Sequence, residues 1–233
     1  MRNRNHQSIV AEGGWGIQME QRKIIQVQDV SLKIQEASIL NHISMEMEAG
    51  KIYGLVGRNG SGKTMLMKCI CGFVKPTSGV ILVNNRKVGV DMDFPENMGI
   101  LIETPGFIPY YSGYRNLKLL ADLRHPLKKE ELNHYLELVG LDPTLSRHVG
   151  KYSLGMRQRL GLAQALMEEP EILMLDEPMN GLDKDGVADM RKLFLELKEA
   201  DKTMVIASHN ADDIALLCDH VWELEKGNME QLR

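Results

Sequence analysis

Gly57-Arg58-Asn59-Gly60-Ser61-Gly62-Lys63-Thr64 reads Gly-x-x-x-x-Gly-Lys-Thr, the phosphate-binding loop pattern. Its flanks fit. Lys51-Ile52-Tyr53-Gly54-Leu55-Val56 is a short apolar run that predicts a buried strand, and Leu66, Cys69, Ile70 and Phe73 recur at helical spacing afterwards. Gly57, Gly60 and Gly62 allow backbone conformations that side chains forbid. The loop, with Arg58, Asn59 and Ser61, can then turn several N–H groups inward at a helix N-terminus, which carries partial positive charge. Lys63 offers a full charge to the β- and γ-phosphates of a nucleotide, and the Thr64 hydroxyl can ligate Mg²⁺. A glycine-rich turn opening an ordinary helix is the plain alternative, and the matching flanks argue against it.

A length of 233 residues suits one α/β domain with room for a subdomain. With 43% hydrophobic and 26% charged residues, the composition is that of a globular protein with a sizeable core. The net charge of −4 gives no electrostatic reason to expect nucleic acid. No run of about 20 apolar residues exists, so nothing is expected to span a bilayer. Arg2 and Arg4 are not followed by an apolar stretch, so the N-terminus does not read as a secretory signal. Cys69, Cys71 and Cys218 have no metal-ligand spacing and are expected to be buried thiols in a reducing compartment.

Residues 1–22 are polar and lack a sustained period, so they read as a loose extension, with Met19 a possible alternative start. Residues 23–233 read as a single domain. Ile24 to Ile34 and Ile39 to Met47 predict strands of an antiparallel patch, and Val80 to Val83 and Asn97 to Ile102 predict two more strands. Thr104-Pro105-Gly106 then breaks the chain. Helical spacing over Asn116–Leu123, Lys128–Val139 and Ser153–Met167 predicts a helical subdomain at about 105–165, inserted in the α/β core. Strands are expected at Ile172–Leu175, Thr203–Ala207 and, last, His220–Leu224, with helices at Asp185–Ala200 and Ala211–Cys218.

Ile172-Leu173-Met174-Leu175-Asp176-Glu177 is an apolar run ending in two carboxylates. A buried strand would deliver them to the carboxyl edge of the sheet, where α/β proteins bind ligands. Asp176 can hold Mg²⁺, and Glu177 can orient or deprotonate an attacking water.

Lys151-Tyr152-Ser153-Leu154-Gly155-Met156-Arg157-Gln158-Arg159 resembles the signature motif of ATP-binding-cassette (ABC) ATPases. Pro178-Met179-Asn180-Gly181-Leu182-Asp183 looks like the loop that follows the Walker B carboxylates in that family, and Ser208-His209 looks like its switch histidine. The resemblance covers about Ile24 to Leu224. Tyr-Ser-Leu-Gly-Met and Leu-Ile-Glu-Thr-Pro-Gly further resemble ATPases of bacitracin- and lantibiotic-type export and self-protection systems.

The resemblance implies a P-loop NTPase fold: a mostly parallel core sheet, an antiparallel β subdomain and a helical subdomain. It implies ATP and Mg²⁺ as cofactors, and hydrolysis of ATP to ADP and phosphate. It implies two partners, a transmembrane permease subunit and a second nucleotide-binding subunit in an ATP-dependent head-to-tail dimer. Ser153 and Gly155 of one subunit would then meet the γ-phosphate held by the other, and His209 would also contact the γ-phosphate. The expected location is cytoplasmic, on the inner face of the membrane through the permease. Three departures stand out: Leu154 and Met156 replace Gly and Gln of the commonest signature; Glu103 stands where Gln usually ligates Mg²⁺; and Ile34 aligns with an aromatic that stacks on adenine. A soluble ABC ATPase of DNA repair or translation, or a nucleotide-sensing regulatory module, are the alternatives. The former usually carries tandem cassettes or long insertions, and Asp176, Glu177 and His209 argue against the latter.

Overall fold

The computed structural model describes residues 22–233. The expected extension, apart from Arg22, and the alternative start at Met19 lie outside the described residues. Strands β1 (Lys23–Ile34) and β2 (Ala37–Glu48) form a long antiparallel hairpin. Strand β3 (Ile52–Val56) leads through the glycine loop into helix α1 (Lys63–Ile70). Strands β4 (Ser78–Val83) and β5 (Arg86–Lys87) join the hairpin in an antiparallel sheet of order β2-β1-β4-β5.

The second sheet holds β3 with β6 (Met98–Leu101), β7 (Ile172–Asp176), β8 (Thr203–Ala207), β9 (His220–Glu225) and β10 (Asn228–Gln231), in the order β10-β9-β3-β8-β7-β6. All its neighbours are parallel except the β9–β10 hairpin. The apolar runs of β7 and β8 are explained by burial on both faces. Ile172 and Met174 pack toward α1 and the antiparallel sheet, whereas Leu173 and Leu175 pack toward the helices opposite. Those helices are α4 (Leu154–Leu166), α5 (Lys184–Glu199) and α6 (Ala211–Leu217). Gly99 and Gly161 permit close packing of α4 on β6, since an added Cβ would lie 2.1 Å from the Ala165 carbonyl oxygen and 2.7 Å from Leu101 Cδ1, respectively.

Helices α2 (Gly113–Arg124) and α3 (Lys129–Leu138) pack with α4, as the helical periodicity anticipates. Ser112 caps α2 by accepting from the Arg115 N–H. The core sheet, the antiparallel β layer and the helical layer agree with the expected fold class.

Three details differ from the sequence reading. Helix α1 ends at Ile70, so Phe73 is exposed and pairs with the ring of Phe94 instead of joining the core. Strand β9 is not the last, because the Lys226-Gly227 turn folds β10 back onto it. The two-residue β5 is too short to leave a periodic signal. The three cysteines are free and buried as expected, and burial pushes their thiols up to about 11 for Cys69 and about 12 for Cys71 and Cys218.

Candidate functional site

Strand order, more than sequence, assembles the site. Asp176 is the register partner of Ala207, and Ala207 that of Leu55. One or two residues further along each strand lie Glu177, Ser208-His209 and Gly57. On the other side of β7, Leu101 pairs with Leu175, placing Glu103 next along the same edge. The phosphate loop, the carboxylate pair, the histidine and Glu103 therefore share the carboxyl edge, where α/β sheets bind ligands.

The loop needs its glycines. Gly57, Gly60 and Gly62 have φ of 138°, 78° and 114°. A Cβ on Gly57 would also lie 2.2 Å from the Leu224 carbonyl oxygen. The β9–β10 turn supports the loop from behind: the Gly227 N–H donates to the Ser61 carbonyl (3.3 Å), and the Asn41 N–H donates to the Gly227 carbonyl (2.8 Å).

Lys63, only 7% exposed, donates to the carbonyls of Gly57 (2.7 Å) and Arg58 (3.2 Å) in its own loop. The Ser61 hydroxyl is buried without a hydrogen-bond partner. A buried ammonium resting on neutral carbonyls and an unsatisfied hydroxyl in one glycine loop fit an incoming phosphate group.

The Thr64 hydroxyl donates to Asp176 Oδ2 at 2.7 Å, joining residues 112 positions apart. Burial pushes the Asp176 carboxyl up; the Thr64 hydrogen bond and Lys63 act against that, while Glu177 and Glu103 add to it. A half-buried carboxylate hydrogen-bonded to a hydroxyl offers hard-oxygen donors of the kind Mg²⁺ takes, although among the described residues no group of three or more acids or histidines is placed to hold a metal. Glu103, however, makes an ion pair with Lys68 in this structure.

Glu177 is held tightly. Its φ is 48°, a left-handed conformation that is strained for a non-glycine residue. Its N–H donates to the Ala207 carbonyl (2.9 Å), and its carboxylate Oε2 lies 2.9 Å from His209 Nδ1. Glu103 is also left-handed, with φ of 59°.

The remaining expected site residues sit apart. Ser153 caps α4 by accepting from the Met156 N–H at 3.1 Å. Gly155 lies against the loop after Glu177, where a Cβ would be 2.6 Å from the Gly181 carbonyl oxygen. Among the described residues no hydrogen bond links Ser153 or Gly155 to the phosphate loop. Ile34 ends β1 at the hairpin tip and is 45% exposed. The hairpin borders the loop, since a Cβ on Gly62 would lie 3.0 Å from Leu40 Cδ2. From Leu40 to Ala37, the register partner of Ile34, is three residues, about 10 Å of strand.

Sequence reasoning gave no role to Gln158 or Lys68. Gln158 lies within the quoted signature stretch, but nothing in its spacing indicates that its Nε2 reaches the Glu177 carbonyl at 2.9 Å.

Fold and site together define a phosphate-loop α/β nucleotide-binding protein. Comparison with known proteins narrows this. The sequence profile of the ABC transporter family matches residues 40–180. An uncharacterized ABC transporter ATP-binding protein of Bacillus subtilis, YybJ, is 40% identical over 89% of this chain and 95% of that protein. The bacitracin transport ATP-binding protein BcrA of Enterococcus faecalis is 38% identical over 88% of this chain and 68% of its own length. The lantibiotic transport ATP-binding protein SrtF of Streptococcus pyogenes is 33% identical over 88% of this chain and 89% of that one. Among solved structures, CbiO1 from Clostridium perfringens is 28% identical with a TM-score of 0.76, covering 89% of this chain and 87% of that chain. The dimeric cassette MJ0796 shares the fold at a TM-score of 0.80 and 22% identity, over 90% of this chain and 99% of that chain. The chain belongs to the ABC transporter family, as an ATP-hydrolysing ATP-binding subunit.

Proposed function

We propose that this chain powers a separate membrane permease that exports an antimicrobial peptide or a similar substrate. The convergence of Lys63, Thr64, Asp176, Glu177 and His209 on one sheet edge carries the hydrolytic part. Similarity to the bacitracin and lantibiotic transport ATP-binding proteins BcrA and SrtF supports the peptide-transport part, and the direction follows the resemblance of the Tyr-Ser-Leu-Gly-Met and Leu-Ile-Glu-Thr-Pro-Gly stretches to export systems.

In this reading Lys63 and the N–H groups of Gly57 to Thr64 hold the β- and γ-phosphates of ATP. Thr64 and Asp176 hold Mg²⁺, with Glu103 as a further oxygen ligand once it leaves Lys68. The metal, when bound, neutralises charge on the phosphate oxygens. Glu177 orients the attacking water and accepts its proton, and His209, beside the Glu177 carboxylate, contacts the γ-phosphate. Ile34 offers the base an aliphatic contact. Ser153 and Gly155 serve the site of a second copy, which explains why they lie apart from the phosphate loop within one chain. Among the described residues no helix is long and apolar enough to cross a membrane. In this reading attachment to the inner membrane face runs through the permease.

A groove of about 450 Å³ between β6, α2 and α4 suits such a partner. Phe73, Leu120 and Leu123 line it, and Leu123 is 77% exposed. Phe73 and Ile100 also border the smaller cavity that holds Glu103 and Lys68, so an occupant of the groove lies next to a metal-ligand candidate. The experiment is co-expression with each candidate permease from the neighbouring reading frames and co-purification, followed by ATPase assay in liposomes with bacitracin or a lantibiotic. We expect the peptide to stimulate hydrolysis, and Leu123→Asp to release the permease while sparing basal hydrolysis. A permease that co-purifies but responds to no such peptide would refute the export assignment.

A further inference from the structure

We infer that Gln158 is a positioning residue that ties the hydrolytic carboxylate to the signature helix of the same chain. This rests on the reading of Glu177 as the residue that activates water.

Glu177 follows the end of a strand, in a left-handed conformation that its own side chain disfavours. Something outside the strand must therefore hold it. Three hydrogen bonds to its backbone do so. Its N–H is fixed by Ala207 at 2.9 Å, and its carbonyl accepts from the Asn180 N–H at 3.1 Å. The third comes from a different layer: the carboxamide of Gln158, in the second turn of α4, donates to the same carbonyl at 2.9 Å. Gln158 is 8% exposed, so this bond is shielded from water.

Three consecutive side chains anchor the start of α4 to carbonyl oxygens. Arg157 Nη1 reaches Tyr152 at 2.6 Å, Arg159 Nη1 reaches Val139 at 2.6 Å, and Gln158 alone of the three reaches the site. The packing is equally tight. Gly155 leaves no room for a methyl group beside the Gly181 carbonyl, and Leu154 fills the space above Gly181. The start of α4, the loop from Pro178 to Asp183 and Glu177 thus form one packed unit. A displacement of α4 is passed through the Gln158 carboxamide to the carbonyl of the residue that must face the water. Because that geometry matters on a scale of about 1 Å, the bond affects rate more than nucleotide affinity.

The test compares wild type, Gln158→Met, Glu177→Gln and the double variant, measuring kcat, KM and the affinity for a fluorescent ATP analogue. Met keeps length and flexibility and removes the donor. For Gln158→Met we expect kcat to fall about tenfold or more with KM and analogue affinity within about twofold, the pattern of a lost contact that matters in the transition state. In the Glu177→Gln background the same change should cost nothing further, because both act through one group. Gln158→Glu keeps the shape and places an acceptor against the carbonyl; it should lower kcat at least as much, and it serves if Gln158→Met does not fold. Unchanged kcat in a folded Gln158 variant, or losses that multiply in the double variant, would overturn the inference and leave Glu177 as the water-activating residue. Wild-type hydrolysis in Glu177→Gln would overturn both.

Discussion

Thr64→Val removes one hydroxyl and keeps the branched shape of the side chain. That hydroxyl donates to Asp176 Oδ2 at 2.7 Å. A hydrogen bond to a charged acceptor contributes about 1.5–3 kcal/mol, and because both residues are only half-buried the expected loss is about 1–2 kcal/mol at neutral pH. At about 2–4 °C per kcal/mol for a chain of this size, Tm falls by about 2–8 °C without nucleotide or metal. The loss has a pH signature. Burial pushes the Asp176 carboxyl up, and the Thr64 hydrogen bond is the foremost influence opposing it. A carboxyl raised in the folded state contributes stability that is full below its unfolded value and is lost as pH rises through its folded value. Valine leaves the carboxyl still higher, so more is lost. The deficit should be smallest in acid, where Asp176 is protonated in both proteins and the hydroxyl meets only a neutral acceptor. It should widen as pH rises through the wild-type folded value and be complete above that of the variant. Urea denaturation in EDTA, followed from the acid limit of the fold up to neutral pH, measures it. A deficit equal at every pH would assign the effect to packing, and none at the upper end would show that the bond is not made in solution.

Four further outcomes follow from the site. Lys63→Ala should weaken ATP binding at least about tenfold, the equivalent of one charge-assisted contact; titration with a fluorescent analogue checks it, and unchanged affinity removes Lys63 from the site. Glu177→Gln should retain ATP and lower hydrolysis by about 10²–10⁴, the usual range for a lost general base; light scattering with Mg-ATP should then show a larger dimer fraction than for wild type. Ile34→Tyr should tighten ATP binding, because a ring at the hairpin tip adds stacking of about 0.5–1.5 kcal/mol; GTP should compete with ATP within about tenfold for wild type, and a preference of several orders would place the base elsewhere. Glu103→Ala should raise the Mg²⁺ concentration needed for half-maximal ATPase, with Glu103→Gln milder because an amide oxygen still ligates; superimposable Mg²⁺ curves would mean that Glu103 stays with Lys68.

The phosphate loop and the Asp176-Glu177 pair were legible in the sequence because their chemistry rests on residue types at fixed local spacing. Glycine permits positive φ at Gly57, Gly60 and Gly62 wherever those residues fold, and four apolar residues before two acids fit a buried strand with an exposed end. Most helices and strands were legible for the same reason, since periods of 3.6 and 2 are local properties. Phe73 was misread because helical spacing continues past Ile70 although the helix does not. Strand β10 was missed because Asn228–Gln231 carries almost no apolar pattern and is held by pairing with β9.

What the tertiary structure decided is which distant groups meet. The order β9-β3-β8-β7-β6 brings Thr64 to Asp176 and His209 to Glu177. The same arrangement sets Glu103 against Lys68, and the approach of α4 gives Gln158 to the Glu177 carbonyl. None of these pairs has a sequence period, because hydrogen bonds and ion pairs act over about 3 Å in space whatever the separation along the chain. Local spacing determined what each residue could do, and long-range strand pairing and helix packing determined which partner it does it with.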